Sequence, residues 1–236
     1  MVKLSERMKA VADLVPKSET LADIGCDHGY LPIHLVEQGV VLKAIAMDIN
    51  PGPLQAAKEH IAEMGLGDRI ITRLSDGLDK LKPGEGESII IAGMGGRLII
   101  RILQDALPFL KGEGGVRSLI LQPQSELAYF RQEMRAMGFV CEREDMVYED
   151  GKFYPMGRYS LGDTFRSDKQ ELFDLYGPLL LKEKHPVLLK YLQKEAKTLE
   201  GVAASLSNMK DGEEKSQRQL EVAEKLKMNQ TAQNLY

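Results

Sequence analysis

The chain has 236 residues, 43% hydrophobic and 28% charged, the balance of an ordinary globular protein with length for a full core and an appendage. No apolar run approaches the roughly 20 residues of a membrane span, and the amino-terminal stretch has no signal-peptide core, so the expectation is a cytoplasmic protein without membrane contact. Two cysteines, Cys26 and Cys141, supply neither a disulfide framework nor a metal-ligand spacing, so no metal is expected; the net charge of −4 argues against a broadly basic nucleic-acid binder, and any basic surface must be local.

Leu4, Met8, Val11, Ala12 and Val15 recur at helical spacing until Pro16, which predicts a helix over 4–15. Arg7 and Lys9 fall on its polar face and read either as contacts for RNA phosphate or, more simply, as a solvated face. From Thr20 the pattern alternates strand and helix, with strands near 20–24, 42–47, 69–74, 87–92 and 117–121 and helices near 30–38, 52–64, 95–109 and 125–137. Such alternation implies a parallel sheet covered on both faces, with ligands bound outside the carboxyl ends of the strands.

The chemistry-bearing residues fall at those ends. The first strand runs into Asp23-Ile24-Gly25-Cys26-Asp27-His28-Gly29-Tyr30, where Gly25 and Gly29 bracket a tight turn that lets backbone pass close to a ligand. Roughly twenty residues on, as a nucleotide-binding unit requires, the second strand ends in Asp48-Ile49, placing a carboxylate where it can accept both hydroxyls of a ribose. The third leads to Ser75-Asp76-Gly77, an acid-glycine turn suited to a base amino group. The fourth opens into Gly93-Met94-Gly95-Gly96, where backbone without side chains leaves room for a ligand, and the fifth ends in Gln122-Pro123-Gln124, whose amides are candidates to read a base edge.

The segments 139–148 and 153–161 read as extended runs joined at Glu149-Asp150-Gly151. Tyr148, Phe153, Tyr154 and Tyr159 crowd this hairpin, as core or as a surface on which a base stacks. Beyond Gly162-Asp163 helix formers dominate. Leu188, Leu192, Glu195, Leu199, Val202, Leu206 and Met209 repeat in steps of four and three, Asp211-Gly212 breaks the pattern, and Leu220, Ala223 and Leu226 resume it. Residues 185–229 are therefore expected as an antiparallel, coiled-coil-like helical hairpin within a C-terminal domain of residues 163–236, behind a first domain of residues 1–162. Its Lys182, Lys184, Lys190, Lys194 and Lys197 read either as a clamp for RNA or as ordinary surface.

Asp23-Ile24-Gly25-Cys26-Asp27-His28-Gly29-Tyr30-Leu31-Pro32, Ala92-Gly93-Met94-Gly95-Gly96, Leu121-Gln122-Pro123-Gln124 and a helical tail together resemble the class I S-adenosylmethionine-dependent methyltransferases. Within that superfamily they resemble the bacterial tRNA adenine-N1 methyltransferases that act at position 22, the TrmK family. The resemblance implies a Rossmann-like α/β fold with a seven-stranded, mostly parallel sheet whose last strand is antiparallel. It also implies S-adenosylmethionine as cofactor and tRNA as partner; a monomer or weak dimer is expected. It places Asp23, Gly25, Cys26, His28, Gly29, Tyr30, Asp48, Ile49, Asp76, Gly77, Gly93, Met94 and Gly95 around the cofactor, and Gln122, Pro123, Gln124 and Arg97 beside the substrate. The superfamily's first turn usually carries glycine where this chain has Asp27. A carboxylate there is a candidate to stabilise the cationic product base, or else a cap for the following helix.

Two absences narrow the reaction. The Asn/Asp-Pro-Pro-aromatic motif of exocyclic-amine methylation is replaced by Ala92-Gly93-Met94-Gly95-Gly96, and neither cysteine stands where a pyrimidine-C5 enzyme keeps its nucleophile. Two alternatives stay open: a methyltransferase of this fold acting on a small molecule or protein, and a non-catalytic module that binds cofactor and uses residues 185–229 for protein contacts.

Overall fold

A computed structural model describes residues 2–112, 114–164, 167–207 and 213–236. Contacts divide the chain into two compact units, Met1–Arg166 and Ser167–Tyr236.

The first unit holds a seven-stranded sheet in the order β3-β2-β1-β4-β5-β7-β6, with β1 Ser18–Ile24, β2 Val41–Asp48, β3 Ile70–Leu74, β4 Ser88–Met94, β5 Ser118–Pro123, β6 Phe139–Glu149 and β7 Lys152–Leu161. β1 to β5 pair in parallel, and β7 runs antiparallel to both β5 and β6. The strand order therefore reverses between β1 and β4, and the carboxyl ends beside that reversal form the crevice of a doubly wound sheet.

Alternation along the strands feeds two cores. On one face Leu21, Ala44, Ala46, Ile90 and Ile120 pack against α1 (Glu6–Asp13), α2 (Tyr30–Glu37) and α3 (Pro51–Glu63) through Val11, Ile33, Leu35 and Ala57. On the other, Ala22, Ile24, Ile89, Ile91, Leu119 and Leu121 meet α4 (Gly96–Asp105), α5 (Leu107–Lys111) and α6 (Leu127–Ala136) through Ile99, Leu103, Leu110, Phe130 and Met134. The helix expected over 95–109 is two helices. Pro108 has no N–H to offer the preceding turn, so the chain breaks at Ala106 (φ −96°, ψ 8°) and restarts with the proline near its amino end.

The hairpin aromatics divide. Tyr159 is buried, edge-on to Phe130 with ring centroids 5.8 Å apart, whereas Tyr148 is half exposed against Phe153.

The second unit comprises α7 (Gln170–Tyr176), α8 (Pro178–Lys182), α9 (Pro186–Ser207) and α10 (Glu213–Gln233); the sequence pattern missed the two short helices. α9 and α10 form an antiparallel pair, with Tyr236 Oη donating to the His185 carbonyl at 2.9 Å. Leu188, Leu192 and Leu206 are buried along α9, as their spacing requires. On α10 the inward face is Val222, Asn229 and Ala232, not Leu220 and Ala223: Leu220 is exposed, one step out of register with the heptad. Glu195, the polar interruption, accepts from Tyr176 Oη (2.8 Å), Tyr191 Oη (2.9 Å) and Asn229 Nδ2 (2.8 Å), so these polar groups are mutually satisfied and fix the helix register. Met209 and Asp211-Gly212 lie outside the described residues.

Candidate active site

The turn after β1 is the most distorted backbone in the first unit. Gly25 (φ +73°), Asp27 (+25°), His28 (+63°) and Gly29 (+72°) all lie in the left-handed region. Holding two non-glycine residues there costs of order 1–3 kcal/mol each, and such strain gathers at ligand sites. The surroundings enforce it: the N–H groups of Gly25 and Cys26 both donate to the Met47 carbonyl (2.8 and 3.1 Å), and the Gly29 N–H donates to the Cys26 carbonyl (2.8 Å). A Cβ on Gly29 would sit 3.0 Å from the Ala57 Cβ, so the missing side chain lets α3 close on the turn.

Asp27 is not a helix cap. α2 starts from Gly29, and neither that helix nor the short turn of Asp27–Gly29 has a side-chain capping bond. The Asp27 side chain is 82% exposed, with His28 Nε2 3.4 Å from its Oδ1. His28, Tyr30 and His60 form an aromatic ladder, with centroids 5.7 Å apart for His28–Tyr30 and 5.0 Å for Tyr30–His60, and the His60 ring Nδ1 pairs with the His28 carbonyl at 3.0 Å.

A cavity of about 460 Å³ opens beside this turn, within the range of small-molecule sites. Asp23, Gly25, Cys26, Asp27, Tyr30, Gly93, Met94, Gln122 and Gln124, widely separated in sequence, all line it. Burial, together with the charges of Asp48 and Asp27, pushes the Asp23 carboxyl up to about 7. Burial also raises the Cys26 thiol, so Cys26 is a neutral wall rather than a nucleophile.

Other expected residues sit around the cavity rather than in its wall. Asp48, at the end of β2, is mostly buried and accepts the Asn50 N–H at 2.8 Å; Ile49 next to it is 57% exposed. Asp76 is exposed, and Gly77 (φ +52°) lies against Ile102. Gly95 precedes α4, where an added Cβ would lie 3.2 Å from the Ser125 hydroxyl. Arg97 points elsewhere, ion-paired with Glu126 and 4.6 Å over the Tyr129 ring.

Gln122 is fully buried. Its Oε1 accepts from the Gly93 N–H (3.1 Å) and from Arg7 Nη1 (3.4 Å), and its Nε2 donates to the Pro123 carbonyl (3.2 Å). These bonds fix the amide and brace the Gly93 turn. Gln124, by contrast, is exposed at the cavity, anchored by its backbone N–H on the Met94 carbonyl (2.9 Å).

Sequence reasoning favoured a solvated face for Arg7 over contact with RNA phosphate; the structure turns it inward, and Arg7, Met8 and Val11 of α1 line the cavity. Helical periodicity separates polar from apolar faces and gives no sign of which polar face overlooks a cleft.

A methyltransferase domain model matches residues 4–156. Over 230 residues, 96% of this chain and 95% of the relative, the sequence is 34% identical to the tRNA (adenine(22)-N(1))-methyltransferase of Bacillus subtilis. The chain belongs to the TrmK family of bacterial tRNA methyltransferases. Among solved TrmK-type structures, Streptococcus pneumoniae Sp1610 in complex with S-adenosyl-L-methionine matches with a TM-score of 0.86 at 34% identity, covering 98% of this chain and 100% of that one. M. capricolum TrmK with S-adenosyl-homocysteine matches at 0.82 and 26% identity over 98% of both chains. Among the described residues, no helix is long and apolar enough to cross a membrane, and no cluster of His, Cys, Asp or Glu is placed to hold a metal.

Proposed function

We propose that this protein methylates N1 of adenine 22 in tRNA with S-adenosylmethionine, in the cytoplasm. The observation that carries the reading is the cavity itself: a strained Gly25–Gly29 turn with an exposed carboxylate at Asp27, set between the buried acid Asp23 and the open Gly93 backbone.

S-adenosylmethionine fits the residues present. It carries a sulfonium, an ammonium and a carboxylate, and Asp23 and Asp27 in the cavity wall, with Asp48 beside it at the end of β2, offer acceptors to its cationic groups. In this reading Asp48 accepts from the ribose hydroxyls, Ile49 packs on the adenine face, Asp76 accepts from the adenine amine, and Asp23 faces the methionine end. Gly25, Gly29, Gly93 and Gly95 let backbone come close, with Cys26, Gly77 and Met94 forming wall and His28 and Tyr30 flanking the methionine end. Bound there, the cofactor supplies an electrophilic methyl group and leaves as a neutral thioether.

The protein's part is positioning and charge. Adenine N1 attacks through its own lone pair, so no covalent nucleophile is needed, and holding the base in line supplies much of the rate. Positive charge then develops on the base. The Asp27 carboxylate accepts a hydrogen bond from the exocyclic amine and stabilises that charge. Gln124 and Pro123 border the base, and Gln122 keeps the Gly93 turn in place. Exposed Lys182, Lys184, Lys190, Lys194 and Lys197 provide the C-terminal helices with tRNA contacts. The working unit is a monomer or weak dimer.

The test uses two unmodified tRNA transcripts that differ only in carrying adenine or guanine at position 22. Methyl transfer to the first and none to the second supports the assignment; equal transfer to both overturns it.

A further inference from the structure

Arg7 is the cation among the residues that line the cleft, beside the acids Asp23 and Asp27 and the amides Gln122 and Gln124, and the chemistry derived so far gives it no ligand. It belongs to the first turn of α1, whose amino end is already taken: Glu149 Oε1 accepts the backbone N–H groups of Glu6 (2.7 Å) and Arg7 (3.3 Å). What Arg7 offers is therefore its side chain. The guanidinium lies 5.2 Å from the centroid of the Tyr154 ring, and Nη1 donates to Gln122 Oε1 at 3.4 Å. Ring and amide together fix its plane, while its remaining N–H groups have no protein acceptor among the described residues. A planar fork of donors held in one orientation is suited to the oxygens of a phosphate.

The sheet order says which end of the cleft this is. Arg7 is anchored on Gln122 of β5 and Tyr154 of β7, whereas Asp48 closes β2; three strand spacings separate β2 from β5, roughly 14 Å. The acids Asp23, Asp27 and Asp48 repel an anion from the β1–β2 end and attract the cationic cofactor there. An anion held at Arg7 lies toward the β5–β7 side of that same cavity, away from β2.

We infer that Arg7 is a phosphate subsite: it binds a backbone phosphate of the target nucleotide and so turns the adenine toward Asp27. This rests on the reading of the protein as a tRNA methyltransferase. A wild-type protein that transfers no methyl group to tRNA sinks that reading; the comparison of variants below addresses the subsite alone.

Steady-state methylation of unmodified tRNA by Arg7→Gln and Arg7→Lys, with S-adenosylmethionine affinity titrated on the same preparations, tests the subsite. Losing one charge-assisted contact raises the KM for tRNA about 10- to 100-fold in Arg7→Gln. It also makes the dependence of log kcat/KM on log salt shallower by about one, because one fewer phosphate is neutralised. Cofactor affinity stays unchanged, and Arg7→Lys restores the salt slope but only part of the KM. Tyr154→Ala, which keeps the charge and frees its plane, raises KM with the full salt slope. A loss of cofactor affinity in Arg7→Gln overturns the inference, because the guanidinium then holds the donor's carboxylate. A fall in kcat with unchanged KM and salt slope also overturns it, because Arg7 then acts only through Gln122.

Discussion

The two ends of the cleft are built on opposite principles. At the β1–β2 end, acids are concentrated: burial, with Asp48 and Asp27 nearby, lets Asp23 hold its proton to about pH 7, beside the left-handed turn of Gly25–Gly29. At the β4–β5 end, carboxylates give way to amides and one guanidinium: Gln122 is buried with its amide satisfied, the left-handed Gly93 is braced by it, and Arg7 is clamped between that amide and Tyr154. The difference teaches which end tolerates change. The acidic end gains from a cationic ligand, whereas the amide end is a rigid wall that holds the Arg7 guanidinium in one orientation.

That division predicts graded effects. The largest is at Asp27: replacing the carboxylate by an amide of the same shape slows methyl transfer about 10²- to 10³-fold, the usual cost of losing one group aimed at developing charge, with cofactor affinity little changed. Single-turnover rates beside cofactor titration check this; a proportionate loss of cofactor affinity would move Asp27 from chemistry to binding. Next comes Asp48→Ala, which removes the ribose acceptor and weakens S-adenosylmethionine binding about 10- to 100-fold in calorimetry while leaving the KM for tRNA unchanged. Gln122→Leu probes the other end. It strands the Gly93 N–H, and chemical denaturation is expected to show a loss of about 1–3 kcal/mol in stability.

A further effect, on stability rather than on catalysis, is the dependence on pH at Asp23. Its folded pKa of about 7 exceeds the ordinary value of 3.8, so the folded protein retains the proton that the unfolded chain has lost. The stability this group contributes is full below about pH 4, declines as pH rises to about 7, and is constant above. Asp23→Asn removes that decline, so the variant's melting temperature gains on the wild type across that window. Equal pH profiles for both proteins would show that the acids do not strain one another.

The parallel part of the sheet was legible in the sequence because β1, β2 and β4 carry apolar runs ending at a glycine or an acid, and the structure sets those ends side by side. Asp23, Asp27 and Gly93 could be placed at one cleft from order alone. Arg7 could not, since the side chains that orient it, Gln122 on β5 and Tyr154 on β7, lie 115 or more residues away. The break at Ala106 was hidden because the apolar spacing runs on through Pro108, and backbone hydrogen bonding, not side-chain pattern, decides it. On α10 the exposed Leu220 drew the predicted seam away from Val222, and the polar Asn229 that anchors the helix pair reads in sequence as surface. Glu195 was legible only as an interruption; its partners Tyr176 and Asn229 come from other helices.

The most direct measurement is nucleoside analysis of unmodified tRNA after reaction with methyl-labelled S-adenosylmethionine, with wild type and Asp27→Asn side by side. The expected result is label in N1-methyladenosine with the wild type and a signal near background with the variant. Label in another nucleoside, or equal N1-methyladenosine from both proteins, would contradict the role given to the carboxylate in the strained turn.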